Sequence, residues 1–326
     1  MSEEIERKLS RIPVIGRLVE LLKIVKLPGF EGLSFYDLIE MYFLGIIRGA
    51  LSTRASSISF SLFMALFPLL IFLVTLVPFI IPLVNVGEND FDTQLLMFLE
   101  AFLPTATGDY FSEIYQQIKD QKQGGLLSSA FLISILLVAN GVNAIFDGFE
   151  NSYHVNLTRS FFRSYAYALM VGVVLSVLLI VGAIVFIYFE FYILDYVGAL
   201  AARSRGYEID EGDIFLVELG KLLFFTLLTY LITAILYYFG TAEGKEARFF
   251  SAGAIMTTLL FLLTSYLFGI YVEKISRYNE LYGALGGLLI LMIFIWLNSN
   301  ILLLGFELNA TLNYLRKKIN LYERNM

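Results

Sequence analysis

Apolar residues gather in six long blocks along this chain, at 58–84, 126–146, 165–188, 214–239, 249–272 and 284–306. Each block reaches the roughly 20 residues that an α-helix needs to cross a hydrocarbon core about 30 Å thick. The alternating ten-residue segments of a transmembrane β-barrel are absent. The pattern predicts an all-α fold: a polytopic membrane bundle of about six transmembrane helices, preceded by amphipathic helices. The first block carries Pro68, Pro78 and Pro82, which kink a helix and are tolerated in membranes where neighbours satisfy the freed carbonyls.

Upstream of the first block the period changes. Residues 3–26 place apolar side chains at helical spacing between Arg7, Lys8, Arg11, Arg17, Lys23 and Lys26, a basic amphipathic pattern suited to an anionic membrane surface or to packing on the protein. Ser34 stands three residues before Asp37, which is the spacing of a capping box. The helix it opens has an uncharged run, 41–47, too short to span, and reads as an elbow in the interface. Between the first two spans, residues 92–102 and 109–119 suggest two short amphipathic helices forming a cap. The expected organisation is therefore 1–57 cytoplasmic and interfacial, 58–306 transmembrane with 85–125 as a non-cytoplasmic cap, and 307–326 a cytoplasmic tail.

Composition sharpens this picture. The chain is 58% hydrophobic and 16% charged, against about 25% charged in soluble domains. With the first 57 residues polar or amphipathic, the block from residue 58 is expected to be a retained span and not a signal sequence. Lys and Arg set the orientation. Sixteen lie in segments 1–57, 147–164, 240–248 and 307–326, and six in 85–125, 189–213 and 273–283. The richer side, which holds both termini, is expected to be cytoplasmic. There is no cysteine, so disulfides and thiol chemistry are excluded, and there is one histidine, His154. The net charge of −6 comes with no basic patch, so nucleic acid is not an expected partner. No phosphate loop, zinc-protease motif or nucleophile elbow occurs. No enzyme activity, metal or cofactor is expected.

Two polar clusters interrupt the spans. An ionisable group inside a membrane helix is costly and tends to mark a functional path. Asn140, Asn143 and Asp147 fall on one face of the second span. Arg54, with Ser57 and Ser61, precedes the first span at the same depth, and Glu307, two turns after Asn300, ends the sixth. Arg54, Asp147 and Glu307 are thus expected to meet at one membrane level. Glu218 and Lys221 form the second cluster, at the opposite end. Both clusters also have a structural reading, because charges near helix ends snorkel to water and asparagines glue helices together. His154 reads as an ordinary interfacial histidine and Trp296 as packing.

Two stretches bear a resemblance. One is Arg54-Ala55-Ser56-Ser57-Ile58-Ser59-Phe60-Ser61-Leu62 running into Phe67-Pro68-Leu69-Leu70. The other is Tyr282-Gly283-Ala284-Leu285-Gly286, followed by Leu304-Gly305-Phe306-Glu307-Leu308-Asn309-Ala310. They resemble the YihY/virulence factor BrkB family over about residues 35–318. The resemblance implies a bacterial inner-membrane protein of about six spans, with Pro68, Tyr282, Gly283, Gly286, Gly305 and Asn309 as structural motif positions. Some members carry a ribonuclease BN label. A two-metal nuclease needs several histidines and aspartates, and one histidine argues against it. Other members are associated with envelope traits, which suggests handling of an amphiphile. The expected function is therefore a transporter or flippase-like handler of a lipid or other amphiphile, with membrane lipids as partners. Arg54, Ser57, Asn140, Asn143, Asp147, Glu218, Lys221, Asn300 and Glu307 would line its path. The alternative is a non-transporting scaffold for envelope assembly.

Overall fold

The computed structural model describes residues 23–24, 34–84, 95–98, 126–155, 158–203, 211–242, 249–274 and 285–324. Its seven long elements are all helices: α1 (Phe35–Arg48), α2 (Leu51–Val84), α3 (Leu126–Glu150), α4 (Phe161–Arg203), α5 (Glu211–Phe239), α6 (Ala252–Lys274) and α7 (Leu285–Arg324). Among the described residues, five stretches are long and apolar enough to cross a membrane: Ile133–Glu150, Phe161–Phe189, Val217–Phe239, Ala252–Val272 and Gly286–Lys317. The sixth expected span lies in α2, whose 34 residues amount to about 50 Å of helix. Every expected span is thus helical. The expected basic helix at 3–26 and the expected cap at 92–119 lie outside the described residues, apart from Lys23–Ile24 and a helical turn at 95–98.

Two helices run further than their apolar blocks. α4 continues from the expected end at 188 to Arg203, and α7 from 306 to Arg324. Hydropathy marks where hydrocarbon stops, but a helix goes on while strong helix formers continue. Leu, Ala and Arg do so in 199–203, as do Leu, Arg and Lys in 312–318.

α1 begins as its capping box requires. The Asp37 amide donates to Ser34 Oγ at 3.3 Å, and the Ser34 amide donates back to Asp37 Oδ2 at 2.8 Å. A two-residue turn follows α1, with Ala50 in the left-handed region at φ 47°. It sends the chain into α2. α1 packs Leu38 against Leu315 of α7 and leaves Phe43 and Ile47 exposed, as an interfacial helix does.

The six long helices close a ring. Each packs on the next from α2 to α7, and α7 packs back on α2. At one level a single apolar core joins all six, through Ile58 of α2, Phe149 of α3, Val171 of α4, Leu236 of α5, Ala254 of α6 and Leu303 of α7. Phe149 stacks on Phe306 there, with ring centroids 4.2 Å apart. Further along the bundle the core divides. Phe98 and Leu95 pack with Phe186 of α4 and Leu228 of α5. Phe268 and Val272 of α6 pack separately with Ile290 and Phe294 of α7. Leu291 of α7 meets Phe63 and Leu66 of α2 in a third cluster.

Candidate functional site

Arg54 sits one turn into α2, where its side chain turns inward. It is 8% exposed, and Glu307 of α7 is fully buried. Arg54 Nη2 donates to Glu307 Oε1 at 2.6 Å, and Nη1 to the Gly148 carbonyl of α3 at 2.7 Å. Ser152, in the turn after α3, donates to Glu307 Oε2 at 2.8 Å. Burying a charge is costly unless it is paired and hydrogen-bonded. Here each carboxylate oxygen has a donor, and of the guanidinium nitrogens Arg54 Nε has no acceptor. Gly148 packs against Ile58 of α2, whose Cδ1 would lie 2.6 Å from a Cβ there.

Further side-chain bonds surround this pair at the same end of the bundle. Tyr237 of α5 shares a 2.6 Å hydrogen bond with Thr257 of α6 and donates to the Leu302 carbonyl of α7 at 2.7 Å. Asn309 of α7 accepts from the Gly253 amide at 2.8 Å and donates to Ser251 at 2.9 Å. It thereby satisfies a backbone donor in the first turn of α6, which has no partner within its own helix. Gly253 and Gly305 bring α6 and α7 into backbone contact, and a Cβ at Gly305 would stand 2.7 Å from the Gly253 carbonyl oxygen.

Arg159 lies in the turn before α4, and its backbone amide donates to both Glu150 carboxylate oxygens. Its guanidinium donates to the Phe239 and Thr241 carbonyls at the end of α5 and lies 4.4 Å from the Tyr167 ring centroid. A cation on the last carbonyls of a helix also complements its dipole.

α1 joins the same layer. Tyr42 donates to the Leu304 carbonyl at 3.2 Å. Burial first, and the Glu307 carboxylate second, push the Tyr42 phenol up to about 12. It therefore stays protonated, and stays a donor, across the physiological range. His154 is buried, with Nε2 3.1 Å from the Met41 carbonyl, and so packs beneath the interfacial helix α1.

The expected meeting of three charges is corrected in one member. Arg54 and Glu307 pair, but Asp147 does not join them. Its side chain is exposed and accepts from Asn143 Nδ2 at 3.1 Å. Asp147 shares the level of the pair, as the Arg54 bond to neighbouring Gly148 requires, but projects to the other side of α3. Asn140 and Ser57 are exposed as well. The half-buried Asn300 bonds back to the Trp296 carbonyl of its own helix. Glu218 is exposed and Lys221 half-buried. They stand 21 and 18 residues before Phe239, the end of α5 that Arg159 caps, which is roughly 30 Å away. Pro68 is half-buried and Gly286 buried, while Tyr282 and Gly283 lie outside the described residues.

Glu150, Ser152, Arg159, Tyr237, Gly253 and Thr257 carry much of this layer without any motif to announce them. Some signals were present nonetheless: Glu150 and Arg159 are charges flanking a short turn, and Gly253 opens a span. Among the described residues no group of three or more His, Asp or Glu is placed to hold a metal ion.

The virulence factor BrkB family model matches residues 44–325. The chain belongs to that family. Its relatives include the ribonuclease-like protein YfkH of Bacillus subtilis, 27% identical over 82% of this chain and 91% of the relative. A UPF0761 membrane protein of Mannheimia succiniciproducens is 26% identical over 86% of this chain and 90% of its own length. A UPF0761 membrane protein of Coxiella burnetii is 24% identical over 77% and 84%. No solved structure matches the chain. For the BrkB family, then, this chain displays an integral membrane ring of helices sealed at the level of Arg54 and Glu307.

Proposed function

We propose that this BrkB-family protein moves an amphiphile, a lipid with a polar headgroup, across a bacterial inner membrane, with no chemical step of its own. The observation behind this reading is the asymmetry of the ring. One core and one hydrogen-bonded layer join all six helices at the Arg54 end, while the described part of the other end packs as separate clusters. A bundle closed at one end and divided at the other is the shape expected of a carrier at rest. The sixteen-to-six bias in Lys and Arg supports a cytoplasmic position for the sealed end and for both termini. Glu218 and Lys221, some 30 Å from that end, are the groups proposed to meet a headgroup first. The ribonuclease-like name of YfkH is not carried over, because the single histidine is engaged beneath α1.

The test uses purified protein in liposomes, with labelled phospholipids and lipid A-like glycolipids followed between leaflets. Movement faster than in protein-free liposomes, and slower in Lys221→Ala and Glu218→Ala, is expected. Movement at the wild-type rate in both variants would remove these residues from the path.

A scaffold for envelope assembly is the second reading. It is favoured by the way Arg54 and Glu307 satisfy each other, which leaves little of either for a substrate. Folded protein that moves no lipid, but co-purifies with envelope proteins, would establish the scaffold instead.

A further inference from the structure

Asn140 and Asp147 of α3 face away from the ring. Val142, Ile145, Phe146 and Phe149 belong to the common core, while Asn140 and Asp147 are exposed on the opposite side of the helix. The common core seals the interior at this level, so that exposure is to the bundle's surroundings. Asn143 and Asn151 complete the row. Asn143 accepts from Ser164 of α4 at 3.2 Å, and Asn151 bonds to the Asp147 carbonyl at 2.8 Å. On the other flank lies α2. Arg54 reaches Gly148, and the Ser61 carbonyl is 3.8 Å from a Cβ built on Gly141. The exposed Ser57 lies between them on that edge. Asn140 is ten residues from Glu150, the end of α3, so the row penetrates the span by about 15 Å. No hydrogen bond ties the Asn140 amide or the Ser57 hydroxyl to the rest of the described protein. An amide left facing hydrocarbon costs on the order of 2 kcal/mol or more.

We propose that this outer face of α3, from Asn151 down to Asn140 with Ser57 and Ser164 at its edges, binds the headgroup of a zwitterionic phospholipid whose tails stay in the bilayer. Continuity identifies the occupant. The row starts at the turn 151–155, at the level of the exposed Phe161 and Phe162, and runs unbroken into the span, so a lipid reaches it by sliding inward from the headgroup layer. Charge narrows the class. The Asp147 carboxylate suits an ammonium group, and the amide and hydroxyl donors of Asn140 and Ser57, with the exposed Arg163 beside Ser164, suit a phosphate. The reading as an amphiphile carrier explains why a lipid would travel here, but binding at this face does not depend on it.

The experiment therefore reads binding. The chain has one tryptophan and no cysteine, so single reporters are clean. In a Trp296→Phe background, Ala144→Trp places a reporter on the polar row. Ala166→Trp places a control on an exposed position of α4 at the same level, two residues from Ser164. Phosphatidylcholine bearing a nitroxide on its choline group, which keeps the quaternary ammonium charge, is added to liposomes containing each variant. Quenching at position 144 is expected to exceed that at 166 several-fold, and Asn140→Leu with Asp147→Leu is expected to erase the difference. Equal quenching at the two positions, or a difference that survives both leucines, overturns the proposal. Disulfide-linked dimers of an Asn140→Cys chain in native membranes would assign the face to a second copy and overturn it too; a purely monomeric product supports it. Strong quenching in a protein that moves no lipid would refute the carrier reading alone.

Discussion

The two ends of the ring are built from the same kinds of residues and held together differently. At the Arg54 end, side chains bond between helices: Arg54 to Glu307, Tyr237 to Thr257 and Leu302, Asn309 to Ser251 and Gly253. Toward the other end, Ser176 bonds back to the Gly172 carbonyl and Thr226 to the Leu222 carbonyl, each four residues earlier in its own helix. The contacts between helices there are apolar, among them Phe98, Phe186 and Phe225. In a bilayer, apolar burial supplies no driving force of the kind it supplies in water, because lipid tails are as apolar as leucine. What holds two membrane helices is close packing and polar bonds between them. The Arg54 end has both, while the contacts described between α4, α5 and Phe98 toward the other end are packing. A joint with fewer directional bonds separates at lower cost, so the proposed carrier would open at the end away from Arg54.

The sharpest way to break this comparison is to remove one half of the buried ion pair. Glu307→Ala leaves the Arg54 guanidinium uncompensated, and a loss of about 3–5 kcal/mol is expected, seen as a large fall in melting temperature in detergent. The Arg54→Ala, Glu307→Ala double variant should recover part of that loss. If Glu307→Ala melts like the wild type, the Arg54 end is not the tight one. A milder test is Tyr237→Phe, which deletes one hydroxyl and leaves Thr257 and the Leu302 carbonyl short of a partner. An effect of about 1–2 kcal/mol is expected on the same melting curve. At the foot of the scale stands Glu218→Ala, at an exposed site on the other end. It should shift stability by less than about 0.5 kcal/mol, and a shift as large as that of Tyr237→Phe would erase the distinction between the ends.

Much of this was legible in the sequence. The six spans follow from apolar blocks whose length the bilayer dictates. The pairing of Arg54 with Glu307 follows from depth, since both stand at the same-side margin of their blocks. The outward turn of Asp147 does not follow. Helical periodicity puts Asn140, Asn143 and Asp147 on one face, but it does not say whether that face looks into the bundle or away from it. Only the neighbours decide, and here Gly148 and Val142 win the interior. Ser152 and Arg159 were hidden for another reason. Their roles depend on how a short turn folds back on α5 and α7, which no spacing encodes. Gly253 and Gly305 lie 52 positions apart, and their contact exists only once α6 and α7 are side by side.

α7 runs unbroken through the membrane and beyond it for 40 residues, a rod of about 60 Å. Such a rod is a lever. Pivoted near its middle, at the contact of Gly305 with Gly253, a tilt of about 10° displaces each tip by roughly 5 Å. A displacement of one tip of α7 by about 5 Å, more than the width of a methyl group, would thus be matched by an opposite displacement of the far tip.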